Sequence, residues 1–510
     1  NITIGPSHGR FWNGSGWYWQ RSDPCGFGEA VLEDTNSIRL MQFLYQYLSQ
    51  DGATVHVPRE LNEATCCNAD TGLHWWKMAS YAWLLNAGLP CSVYANSSGI
   101  CSSYTGSASR NSDDIRARPL FADYRGSHIY IAHHTNAGGS GTANGTETFR
   151  DTSMEHPEHE ANSYNLALNV NNNVIDAIRN MYDSGWANRG VKDSAGSFGE
   201  IRIPNRPAIL IELGFHDNCT RDALYLTDNF FRSVTQWGLY KGVCDYFGRT
   251  PTWDKYSCEY VSDTIPATMT AGQTYNVSVT FRNRGVLWSN ARDFRLGSVG
   301  DSDPFTTTMR HNISGEVRPG NTYTFSFNMV APAGGTYTTD WRMVRDGVTW
   351  FGPTLAKQVV VEAAGPYNAS TLVSETIPST MDAGTGALVN ITFKNTGTIT
   401  WTKAAGHKLI AVGGSDPFTV NTVIELGDAD SIAPDQQKTF TVPNFVAPLT
   451  AGTYTSDWRM TQGAEPFGPT LTKSVQVVIP DPQTIIIESR SGGQNYSCYA
   501  EEGVFADATS

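Results

Sequence analysis

The sequence predicts a multidomain chain: an α/β domain with a mainly parallel sheet, then two all-β sandwiches and a partial β module. Strand and helix patterns alternate over residues 1–248. Past about residue 250 they give way to short alternating strands between Gly/Pro turns. That second region also repeats itself once, and 510 residues are too many for a single core. The expected divisions are 1–248 with an insertion at about 60–115, then 255–363, 366–480 and 484–510.

In the first region, Ile2–Ile4 reads as a short apolar strand entering Gly5-Pro6-Ser7-His8-Gly9. Thr35 or Asn36 is expected to cap a helix whose apolar residues Ile38, Met41, Leu44 and Leu48 recur at helical spacing, with Gly52 ending it. Ala53–Val57 and His128–Ala132 are the next strands. Residues 162–181 form a long helix with Leu166, Leu168, Val170, Val174, Ile175 and Ile178 on its buried side. Pro207–Leu213 is an apolar strand covered on both faces, and Asp222–Leu226 and Phe230–Tyr246 are helical. Chemistry in such sheets belongs beyond the carboxyl ends of the strands, where His8, His134 and Glu212 fall.

The repeat is direct. Ser262-Asp-Thr-Ile-Pro returns as Ser374-Glu-Thr-Ile-Pro, and the Gly335–Met343 stretch around Trp341 returns as Gly452–Met460 around Trp458. Phe351-Gly-Pro-Thr-Leu returns at Phe467. A repeat of this length is a domain, so these are tandem sandwiches resembling the tryptophan-containing Ig-like modules appended to bacterial surface enzymes. Trp341 and Trp458, in matching strand contexts, are expected in the cores rather than on a sugar-binding face. Thr484–Glu488 reads as a strand and Ser491–Ser510 as the opening of a further β module.

The net charge of −13 argues against nucleic acid and against electrostatic attraction to anionic membranes. No apolar run is long enough to span a bilayer. The chain starts at Asn1, as expected after removal of an export signal, and a secreted or cell-surface location follows. Nine cysteines without a CxxC pair fit disulfides, above all Cys66, Cys67, Cys91 and Cys101 around an insertion with few apolar residues of its own. Ten Asn-X-Ser/Thr sequons fit either a glycosylated secreted protein or a surface rich in Ser, Thr and Asn. The glycosylation candidates are Asn13, Asn96, Asn144, Asn276, Asn312, Asn368 and Asn390.

Metal-assisted hydrolysis needs three protein ligands, an open position for water and a nearby carboxylate as base. His8 follows the first strand on a Gly-flanked turn, and His133-His134 ends another. Glu29 and Glu33 both lie just before the first long helix, and Glu33 is preferred for its distance to that helix. Glu212 sits in an apolar strand, where a carboxyl needs a partner or a raised pKa. The rival cluster His156-Pro-Glu-His159-Glu160 offers no third ligand and reads as a solvated helix entry.

In order, Gly5-Pro-Ser-His8-Gly9, Glu33 ahead of Asn36, Pro58-Arg59, Ala132-His133-His134-Thr-Asn136-Ala137, Gly145-Thr-Glu147, Arg189-Gly-Val-Lys192 and Pro207–Phe215 resemble the motifs of zinc-dependent N-acetylmuramoyl-L-alanine amidases of the type-3 class. Ser7 replaces the family's Gly, and His133 its usual apolar residue. The resemblance implies Zn²⁺ held by His8, Glu33 and His134, Glu212 as general base, and Asn136 and Glu147 at the substrate. The bond cut would join N-acetylmuramic acid to L-Ala of peptidoglycan or a related cell-surface glycan. Glu212 on its strand favours a hydrolase over a ferrous oxygenase using two His and a carboxylate, and two alternatives remain: another zinc amide hydrolase of the wall, and a surface, filament or glycan-binding protein on a degenerate amidase domain. The β modules would serve for spacing, anchoring or self-association.

Overall fold

The computed structural model describes residues 1–153 and 155–480, with the backbone of strands Ser489–Ser491 and Gln494–Tyr496. The expected strand 484–488 and most of the module after it lie outside the described residues. The chain forms two compact units, Asn1–Ala363 and Ala364–Ser510.

Unit one begins with the α/β part. Its strands are β1 (Ile2–Pro6), β2 (Val55–His56), β3 (Ile129–Asn136), β4 (Thr146–Arg150), β5 (Asn188–Asp193) and β6 (Ala208–Phe215), in the order β2-β1-β3-β6-β4-β5. All neighbours are parallel except β6 and β4. The helices are α1 (Glu33–Gln50), α2 (Ser80–Asn86), α3 (Cys91–Tyr94), α4 (Asn111–Tyr124), α5 (Glu160–Met181), α6 (Gly199–Arg202), α7 (Asp222–Thr227) and α8 (Asn229–Tyr246). The central strands β3 and β6 are buried almost throughout, which their near-continuous apolar runs require. Leu166, Val170, Val174, Ile175 and Ile178 of α5 are buried as expected, whereas Leu168 is 39% exposed because it lies on the opposite side of the helix.

Two local expectations need correction. Helix α1 starts at Glu33, earlier than a Thr35 or Asn36 cap; Leu32 is the N-cap, and the Thr35 hydroxyl bonds back to Leu32 O. The insertion carries a core of its own, with Trp75, Met78, Tyr81, Leu84, Val93 and Tyr94 buried against Ala117 and Phe121 of α4. Its disulfides, Cys66–Cys67 and Cys91–Cys101, add to that core rather than replace it. A third, Cys25–Cys219, joins segments 194 residues apart, and Cys244 and Cys258 are buried free thiols.

Unit one continues into the first sandwich, a five-stranded sheet facing a three-stranded one. The second sandwich repeats the same strand order within unit two. Trp341 and Trp458 are fully buried, each donating its indole N–H to a hydroxyl two residues earlier, Thr339 or Ser456. The core of the α/β part runs without a break into the first sandwich. Ser233 Oγ of α8 accepts from Leu287 N at 2.7 Å and bonds Tyr47 of α1, while the Arg318 guanidinium lies 4.1 Å from the Phe43 ring centroid. The first sandwich is thus packed onto helices α1 and α8 rather than spaced from them.

Candidate functional site

Each candidate residue reaches the carboxyl end of the sheet by a short local device. The turn after β1 presents His8, and Gly9 is required there because a Cβ would stand 2.7 Å from the backbone of Ala79. The buried Arg59 guanidinium holds that turn by donating to the Ser7 and His8 carbonyls, and also to Asp34 O and Trp76 O. Glu33 occupies the first turn of α1. His134 lies near the end of β3, in register with Glu212 of β6, which is in turn in register with Glu147 of β4.

His8, Glu33 and His134 converge, with one ligand atom from each within 4.8 Å of the others. His134 Nδ1 is 2.9 Å and His8 Nε2 3.9 Å from Glu33 Oε1. All three are at least 94% buried, and neither ring nitrogen of His8 has a hydrogen-bond partner among the described residues. Two imidazoles and a carboxylate, with a buried imidazole otherwise unsatisfied, fit a divalent metal ion with an open coordination position. Glu29, the rival carboxylate, points elsewhere: it pairs with Lys77 and its side chain is 43% exposed. His156 and His159 lie beside the exposed Glu158, His159 also bonds Asn205 at 3.1 Å, and the two carry no comparable cluster among the described residues.

The electrostatics separate the two central carboxylates. Burial alone would raise Glu33, but His8 and the bond to His134 outweigh it and hold the carboxyl well below its usual range. Burial pushes Glu212 up to about 8, with Glu33 and Glu147 adding to the effect against the pull of His134. Its Oε2 has no partner among the described residues. A carboxyl in that state is poised to exchange a proton near neutral pH. Asn136 donates to Glu147 at 2.7 Å, and Glu147 is further held by Arg189 and Lys192 at 2.8 and 2.5 Å. Together with Thr135, Ala137, His216 and Arg21, residues Glu33, His134, Asn136 and Glu212 line a cavity of about 180 Å³.

Three supporting residues escaped the sequence reading. Glu200, on the single-turn α6, accepts from His134 Nε2 at 3.0 Å and from Tyr130 Oη at 2.5 Å, and pairs with Arg118 at 2.9 Å. That contact leaves His134 Nδ1 facing Glu33. Arg21 lies 3.3 Å from Glu33 Oε2. The only sequence signal for Arg118 and Glu200 was charge within otherwise buried elements. His133 is neutral, pushed down to about 3 by burial and then by His134, and its Nε2 accepts from Gln236 of α8 at 2.9 Å.

Of the glycosylation candidates, Asn13, Asn96, Asn276 and Asn312 are exposed, and Asn390 is half-buried. Asn144 and Asn368 are engaged by side chains, the first by Arg221 and the second by His407 and Gln462. No helix among the described residues is long and apolar enough to cross a membrane.

A family model described as N-acetylmuramoyl-L-alanine amidase matches residues 2–245, and one described as an Ig-like domain from next to BRCA1 gene matches residues 378–477. The N-acetylmuramoyl-L-alanine amidase LytC of Bacillus subtilis (strain 168) is 28% identical over 119 residues, 23% of this chain and 21% of LytC. The chain thus spans about a fifth of that relative's length. Among solved structures, the catalytic domain of CwlV from Bacillus (Paenibacillus) polymyxa var. colistinus is 17% identical, with a TM-score of 0.30, over 49% of this chain and 98% of that one. The amidase AmiC2 of Nostoc punctiforme is 16% identical, also with a TM-score of 0.30, over 49% of this chain and 97% of its own. Residues 2–245 belong to the N-acetylmuramoyl-L-alanine amidase family.

Proposed function

We propose that the α/β part is a zinc-dependent peptidoglycan amidase that hydrolyses the amide between N-acetylmuramic acid and L-Ala. The observation that carries this reading is the buried trio His8, Glu33 and His134 beside the unpartnered carboxyl of Glu212. Zinc bound by that trio would acidify a water and polarise the lactyl carbonyl. The chain's own residues do the rest. Glu212 takes a proton from the attacking water at Oε2 and returns it to the leaving nitrogen of L-Ala as the C–N bond breaks. Glu200 fixes the ring of His134, and Arg59 fixes the turn that carries His8. Asn136 contacts substrate, and Glu147 acts through Asn136.

We read three domains, residues 1–248, 255–363 and 366–480, with a partial module at 484–510, in a protein that works outside the cell or on its surface. The burial of Trp341 and Trp458 supports a structural role for them rather than a sugar-stacking one. Metal content by mass spectrometry tests the ligand set. Native protein and Glu29→Ala should carry about one zinc per chain, and Glu33→Ala should lose it; retention of zinc by Glu33→Ala would reject the assignment.

A further inference from the structure

The cavity at the trio contains one guanidinium, and we propose that it anchors a carboxylate of the stem peptide next to the scissile amide. This rests on the amidase reading and names the group that selects among its substrates. Arg21 Nε faces Glu33 Oε2 at 3.3 Å, while Nη1 has only a 3.4 Å contact with Gln20 O and Nη2 has no partner among the described residues. The side chain is 44% exposed, so it runs from the buried trio to the mouth of the cavity with its forked end free. A guanidinium in that state suits a planar carboxylate bound through two N–H groups.

The backbone beneath it is fixed. Buried Asp34 accepts from Gln20 N at 2.9 Å and from Arg21 N at 3.0 Å, one bond to each carboxylate oxygen. Four residues on, the Cys25–Cys219 disulfide ties the same segment to the loop after β6, and Cys25 Sγ lies 3.3 Å from His216 O. His216 itself lines the cavity. A segment held at both ends beside the reacting centre is built for position rather than for solvation.

Geometry and charge define the ligand. The guanidinium stands one carboxylate away from His134, so it falls within about two residue lengths, ~7 Å, of an amide held between His134 and Glu212. That reach covers the residue after L-Ala. The buried carboxylates Glu33 and Glu147 would repel a substrate anion, and Arg21 offers it a cation at the wall of the cavity.

The test compares two muropeptides, one with a free α-carboxylate on the residue after L-Ala and one with that group amidated, on the full zinc-loaded chain. The wild type should show kcat/KM higher for the carboxylate form by on the order of tenfold to a hundredfold. Arg21→Gln should bring both substrates to one level while keeping its zinc, and Arg21→Lys should restore part of the preference. Equal rates in the wild type, or a preference that survives Arg21→Gln, would overturn the anchor. Direct binding of both muropeptides by calorimetry separates the two proposals. If nothing is cleaved but the carboxylate form binds the wild type more tightly than Arg21→Gln, the anchor stands and the amidase reading falls. If nothing is cleaved and neither form is preferred, the anchor falls as well.

Discussion

Glu212 lies beside His134 in the parallel register of β3 and β6, so a carboxyl with no partner at Oε2 faces the same end of the sheet as the histidine pair. A buried carboxyl of this kind strongly favours its neutral form, and anything that stabilises the anion there exerts large leverage. The pH and metal responses of the protein follow from that pairing.

In the metal-free protein the folded pKa of Glu212, about 8, is raised above the unfolded value. Folding therefore favours the protonated carboxyl, and its contribution to stability is fully present below the unfolded pKa of about 4.3 and lost as pH rises to about 8. Denaturant titrations of the apo protein between pH 4 and 9 should show this loss, and Glu212→Gln should reduce it, leaving the fall above pH 6.5 that His134 contributes.

His134 carries a linkage of the same sign. Burial would lower its pKa, but Glu200 and Glu33 outweigh burial and raise it to about 10. Ligation through Nδ1 requires that atom to be unprotonated, so zinc uptake at pH 7 must release roughly one proton or more. Calorimetric titration in buffers of different ionisation enthalpy should detect the release, with affinity increasing as pH rises. Uptake without proton release would contradict the protonation state assigned to His134.

Glu200 is the strongest candidate for indirect control of the site. Glu200→Gln should keep the fold and weaken zinc affinity about 10–100-fold, by removing the charge that steadies His134. Glu200→Ala also takes a partner from the buried Arg118, at about 3–5 kcal/mol of stability. Competition with a chelator reads the first effect and thermal melting the second.

The α/β part and the first sandwich should unfold together. Phe230, Trp237, Leu287, Trp288 and Phe294 belong to one continuous apolar cluster. Calorimetry should give a single transition for residues 1–363, and a chain cut at about 250 should be less stable and prone to aggregate. Two separate transitions, with the cut chain as stable as the whole, would argue for independent domains.

The strand ends and the repeat were legible because each rests on local pattern. A histidine after an apolar strand, a glutamate inside one and recurring Trp-centred stretches need no tertiary knowledge. The choice between Glu29 and Glu33 needed the helix start, which propensity placed three or four residues late because the Leu32 cap bonds through its backbone alone. Glu200 and Arg118 were missed for a different reason. Their partners lie 66 and 82 residues away, on a single-turn helix and across the sheet, where periodicity carries no information. The insertion was misjudged because its buried residues mix aromatic and aliphatic side chains over several short elements, and they bury against α4 rather than along one long helix face.

The central claim is that Glu212 acts beside a metal held by His8, Glu33 and His134. Its most direct test is the release of L-Ala amino termini from purified peptidoglycan by the zinc-loaded wild type and by Glu212→Gln with equal zinc. The account predicts release by the wild type and a rate lower by about 10²–10⁴-fold in the variant. Zinc-loaded wild type that frees no L-Ala amino termini, or a Glu212→Gln protein that frees them as fast, would contradict it.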